Sequence, residues 1–224
     1  MNQTKITVKI DEKLLIAFNH QIDSLYIKRD AFLNAIIGGE IENLANDMDG
    51  KQLTSKANRY VAGELKRMGT RSVNIVVDKS TAEKLNTIVK QSNMVRDAFI
   101  NRLILFLRSK DALLNYLELP ARVDSKEFHA GMEQFPTSPL GALEAVQGDP
   151  FFYLRTACEE RHGMGLYLID LPKKLAGFSC FLLDSEVPGT LEFEKQEKNN
   201  ELLALSLGFE NEILQNNDQL KGVK

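Results

Sequence analysis

The chain of 224 residues is predicted to be α+β, with two tandem strand-helix-helix units ahead of a small α+β region. Three observations predict this. The hexapeptide Arg29-Asp30-Ala31-Phe32-Leu33-Asn34 returns as Arg96-Asp97-Ala98-Phe99-Ile100-Asn101, differing only by Leu for Ile. The same offset of 67 residues, without a gap, lays residues 6–11 on residues 73–78. Apolar residues alternate early in each copy and then recur at helical spacing. Two separated blocks in one ungapped frame indicate an internal duplication.

The elements follow in order. Across residues 4–10, Ile6, Val8 and Ile10 fall on one face and Lys5, Thr7 and Lys9 on the other, the period of a half-buried strand. Asp11 is the expected N-cap of a helix carrying Leu14, Leu15, Phe18, Ile22 and Leu25. Asp30 is expected to cap a second helix with Phe32, Leu33, Ile36, Ile37 and Ile41 on its apolar face. Gly38 and Gly39 inside it each cost about 1 kcal/mol relative to Ala, a cost compatible with a close helix approach. Thr54 or Ser55 is expected to cap a connecting helix that Gly69 ends.

In the second copy Val73, Ile75 and Val77 alternate with Ser72, Asn74 and Val76. Asp78 or Ser80 caps a helix bearing Leu85, Ile88 and Val89. Asp97 caps another with Phe99, Ile100, Leu103, Ile104 and Leu107, running on through Leu114 and Leu117 until Pro120 stops it. Residues 121–150 read as loop, with a short helix at 140–146. Asp149 is expected to cap a helix through Glu160, ended by Gly163 and Gly165. Four strand-like runs, 166–171, 178–183, 190–194 and 202–207, are separated by turn chemistry and predict an antiparallel meander. The resulting division is 1–48 and 70–118 for the duplicated units, 49–69 for the connection, 119–208 for an acidic α+β domain and 209–224 for a flexible tail.

Composition sets the function classes. Residues 1–116 carry 18 Lys+Arg against 13 Asp+Glu, and residues 117–224 carry 10 against 18. Only the front half suits a polyanion. No apolar run approaches the ~20 residues that span a bilayer, and no secretory signal opens the chain, so no membrane partner and a cytoplasmic address are expected. Cys158 and Cys180 are read as reduced thiols. Cys158 and His162 share a helix face but lack the further ligands of a zinc site. Glu159-Glu160-Arg161-His162 reads as a solvated helix end. No catalytic residue, metal or cofactor is expected.

One strand and two helices cannot enclose a core, and a lone strand leaves both edges unpaired. Two copies solve both problems if their strands pair antiparallel over the four helices. The alternating strand 6–11, the Lys28-Arg29-Asp30-Ala31-Phe32 helix opening and their spacing, seen in both copies, resemble the ribbon-helix-helix family of DNA-binding proteins. The resemblance covers roughly residues 3–46 and 70–112. It implies a tandem ribbon-helix-helix pseudo-dimer in one chain, similar to the TraY-type proteins of conjugative plasmids.

The resemblance also implies a mechanism. The ribbon enters the major groove of double-stranded DNA, and Lys5, Thr7, Lys9, Ser72, Asn74 and Val76 read base edges. Phosphates are held at the openings of the second helices, by Lys28, Arg29 and Asp30 and by Val95, Arg96 and Asp97. Two roles stay open for Arg29 and Arg96: charge toward phosphate, or bonding helix ends. The implied function is a bacterial transcriptional repressor. A relaxosome accessory protein of plasmid transfer and an antitoxin are alternatives in the same class, and a ligand sensor or enzyme in the back half is the alternative in another. Self-association through residues 119–208, or docking of a protein partner there, completes the expectation.

Overall fold

Strand β1 (Gln3–Asp11) forms because its apolar residues alternate, and it finds its partner in β2 (Thr70–Asp78). The computed structural model describes residues 2–108, 113, 117 and 147–199. The two strands pair antiparallel in one two-stranded sheet, with Thr7 opposite Asn74 at its centre. Ile6, Val8, Ile10, Ile75 and Val77 are buried on the inner face. The helices beneath are α1 (Glu12–Ser24), α2 (Arg29–Asp47), α4 (Lys79–Gln91) and α5 (Arg96–Leu107), with α3 (Ser55–Arg67) joining the two copies. The fold is therefore α+β.

The packing is crossed. Helix α2 of the first copy lies along β2 of the second, and α5 of the second lies along β1 of the first. Each copy thus completes the other's core, where Phe32 and Phe99 are buried at equivalent positions. The helix starts follow from local chemistry. Asp11 caps α1 by accepting from Leu14 N at 2.8 Å, and Thr54 caps α3 by accepting from Ala57 N at 3.0 Å. The turns between the paired helices hold Tyr26 and Asn93, again equivalent, in the left-handed region at φ 55° and 51°. Asn tolerates that conformation; for Tyr26 it costs about 1–2 kcal/mol.

Several expectations are corrected. Asp30 and Asp97 are not caps: α2 and α5 start two residues earlier than such caps would allow, with Lys28 and Val95 at the cap and no side-chain cap bond. Asp78 caps α4 by position only, because its carboxylate accepts from Asn34 instead. Neither glycine in α2 is needed for a close approach: a Cβ on Gly38 would stand 3.7 Å from Thr81 Oγ1, and one on Gly39 would meet open space.

The chain divides into two compact units, Met1–Leu182 and Leu183–Lys224. In the first, helix α6 (Phe152–His162) begins after Phe151 rather than at Asp149. It ends at Gly163, whose φ of 62° suits glycine. The meander is not present among the described residues. Residues 166–171 are turns and irregular backbone, and a 3-10 turn (Lys173–Phe178) precedes irregular chain to 183. The reason lies in Arg102, whose guanidinium takes the carbonyls of Leu166, Ile169 and Phe178 together. A strand would send those carbonyls sideways to neighbours. In the second unit, residues 191–199 are helical. Thr190 starts that helix by accepting from Phe193 N at 3.1 Å on its hydroxyl and from Glu194 N at 3.0 Å on its carbonyl. The expected strand 202–207, helix 140–146 and tail 209–224 lie outside the described residues, as does most of the expected extension of α5 toward Leu117.

Gly177 marks the place where the irregular segment meets helical backbone most closely. A Cβ there would fall 2.7 Å from Leu65 N on α3. Because the obstruction is helical backbone, Gly177→Ala is expected to destabilise by ~1–3 kcal/mol, measured as a lowered urea midpoint at unchanged m-value.

Candidate nucleic-acid interface

The outward face of the ribbon is a small polar array. Lys5 stands opposite Val76, Thr7 opposite Asn74 and Lys9 opposite Ser72. Lys5, Thr7, Lys9, Ser72 and Asn74 are exposed and Val76 is half-buried. Thr7 Oγ1 donates to Asn74 Oδ1 at 2.9 Å, which fixes the Asn74 amide and leaves its Nδ2 as the donor end. Thr7 and Asn74 are also separated by the repeat offset of 67. A residue therefore faces its own duplicate at this one position, and the strand register is symmetric about it.

Both strands of a two-stranded sheet are edges, and their outer N–H and C=O groups need partners. The duplicated hexapeptide supplies them across the copies. Arg29 Nη2 donates to Asn74 O at 3.0 Å, and its duplicate Arg96 Nη2 donates to Thr7 O at 2.6 Å. Asn34 Oδ1 accepts from Asp78 N at 2.8 Å, and its duplicate Asn101 Oδ1 accepts from Asp11 N at 2.8 Å. Asn101 Nδ2 also donates to Lys9 O at 2.8 Å. Asp30 Oδ2 accepts from Val76 N at 3.1 Å while its Oδ1 pairs with Arg29.

These bonds place the expected phosphate-binding residues. Arg29 and Arg96 bond the ribbon backbone on its two outer edges, leaving their side chains 30% exposed. Asp30 and Asp97 lie in the first turns of α2 and α5. Lys28 is exposed beside α2, and its duplicate Val95 is half-buried beside α5. Each helix opening thus flanks one edge of the polar array. Asn34 and Asn101 were the unread members of the motif. The signal was their recurrence at its last position, but their partners lie on the other copy's strand.

No family model, curated protein or solved structure matches this chain. The interface therefore rests on its own geometry.

The back half places its reactive groups differently. Cys158 is buried, and burial pushes its thiol up to about 12, so it stays protonated. The His162 ring bonds Leu117 O at 2.7 Å. Among the described residues no three His, Cys, Asp or Glu side chains gather to hold a metal ion, and no helix is long and apolar enough to cross a membrane.

Proposed function

We propose that this chain is a tandem ribbon-helix-helix pseudo-dimer that binds double-stranded DNA sequence-specifically and represses transcription from the bound site. The observation that carries the reading is the pairing of Thr7 with its duplicate Asn74 at the centre of an exposed polar ribbon. A two-stranded ribbon fits the major groove, where base pairs present distinguishable donor and acceptor patterns. Lys5 and Lys9 donate to guanine O6 or N7. Asn74 reads adenine with Thr7 holding its amide, Ser72 bonds adaptably, and Val76 meets a thymine methyl. Lys28 and the opening N–H groups of α2 and α5 hold phosphates on the two flanks, while Arg29 and Arg96 keep the ribbon edges in place between them.

The copies differ across the ribbon, Lys-Thr-Lys against Ser-Asn-Val, so the recognised site is asymmetric. Lys9→Ala and Asn74→Ala are each expected to relax preference at a different base position, costing ~1–3 kcal/mol there. Selection from a random duplex pool reads this directly. Unaltered preference in both variants removes the ribbon as reader. A footprint over the gene's own promoter region tests repression.

A further inference from the structure

We propose that α3, the helix joining the copies, is a third DNA-contacting element that holds backbone phosphates flanking the ribbon's site on the side of the second copy. The inference rests on the DNA-binding reading above.

It begins with an imbalance. The first copy presents exposed Lys28 at the opening of α2, whereas the second has Val95 at the opening of α5. The second copy's turn is the one tied to α3 and the residues leading into it. Leu53 N donates to Ser92 O at 2.9 Å, Asn93 Nδ2 donates to Leu53 O at 2.9 Å, and Asn58 Nδ2 donates to Asn93 O at 2.8 Å. The far end of α3 is tied to the ribbon: Gly69 O accepts from Glu12 N at 3.1 Å, and Thr70 pairs with Asp11. Helix α3 therefore runs from the flank where Val95 opens α5 and exposed Lys90 stands in the last turn of α4 to the ribbon end that carries Lys9 and exposed Arg71.

Its composition suits that position. Ala57, Val61 and Leu65 are buried on one face. Ser55, Arg59, Ala62 and Lys66 form an exposed stripe on the other, at helical spacing. The helix carries Lys56, Arg59, Lys66 and Arg67, while its one acid, Glu64, pairs with Arg67. Arg59 and Lys66 lie about 10 Å apart along the axis, a span over which duplex DNA presents several phosphates. An exposed basic helix is ordinarily just a solvated surface. Here both of its ends are fixed to elements that flank the reading face, and it adds Arg59 and Lys66 beside the flank where Val95 stands in place of Lys28.

The test compares the full chain with R59E/K66E on the duplex that the wild type selects. The expected result has three parts. The plot of log affinity against log salt becomes shallower by about 2, at ~0.9 per phosphate. Hydroxyl-radical protection is lost on one flank of the site only. The selected bases stay the same. An unchanged slope and footprint in a variant with wild-type circular dichroism overturns the inference, and R59Q/K66Q decides the matter if R59E/K66E does not fold. Failure here while Lys9→Ala and Asn74→Ala still shift base preference sinks α3 alone. A wild-type chain that binds no duplex sinks both readings.

Discussion

Arg102→Ala is expected to cost ~3–5 kcal/mol of folding stability, the range for truncating a large buried side chain to Ala, measured by urea denaturation. Arg102 is 1% exposed, on the side of α5 that receives the irregular segment 165–180. Its guanidinium donates to Leu166 O at 3.1 Å, to Ile169 O, and more weakly to Phe178 O at 3.5 Å, and it lies 5.3 Å from the Phe106 ring centroid. Burial lowers its pKa from the usual guanidinium range. The truncation opens a large cavity and leaves three buried carbonyls without their guanidinium donor. Arg102→Lys should recover little, since one ammonium cannot match a planar fork that reaches several carbonyls. A loss below 1 kcal/mol for Arg102→Ala would mean that the segment is held by its apolar contacts alone.

Glu40→Ala is expected to cost a similar ~3–5 kcal/mol. Glu40, 2% exposed, accepts from Arg155 Nη2 at 2.9 and 3.0 Å and from Tyr167 OH at 2.5 Å. Its removal leaves the buried Tyr167 phenol without its acceptor and the half-buried Arg155 with only Asp149, 3.5 Å away. Burial pushes the Glu40 carboxyl above the ordinary range, against the pull of Arg155 and Tyr167. The folded state therefore holds the proton more tightly than the unfolded chain does. The stability this gives is present in full below the ordinary glutamate pKa and fades as pH rises through the higher folded value. Relative to Glu40→Gln, the wild type should thus lose stability as pH climbs through that window. A flat difference across it would assign the burial cost elsewhere. Hydrogen exchange should show α6 as the first helix released in Glu40→Ala.

The duplicated half was legible because its signals are local and repeated. Alternation gave both strands, and the Asp11 cap with the spacing of Leu14, Leu15, Phe18, Ile22 and Leu25 gave α1 and its start. Lys5, Thr7, Lys9, Ser72 and Asn74 were assigned to one exposed face by period alone, and they lie there. The role of Asp30 was not legible, since it depends on Val76 N, 46 residues away on the other copy's strand. Arg102 was visible as a charge within an apolar run, at the position where the first copy has Ala35, but its partners come from a segment without periodicity. That segment misled for the same reason. Leu166, Tyr167 and Ile169 are buried against the helices, and apolar runs covered by tertiary packing read like strands when pairing cannot be seen.

Because β1 and β2 belong to one polypeptide, dilution cannot separate them. A ribbon built from two chains falls apart below its dimer dissociation constant, and its melting temperature follows protein concentration. Here the partner strand is always at hand, so the ribbon forms as readily at a few copies per cell as at many. The joined halves are also released from identity, and each strand is free to diverge without spoiling a partner that must match it.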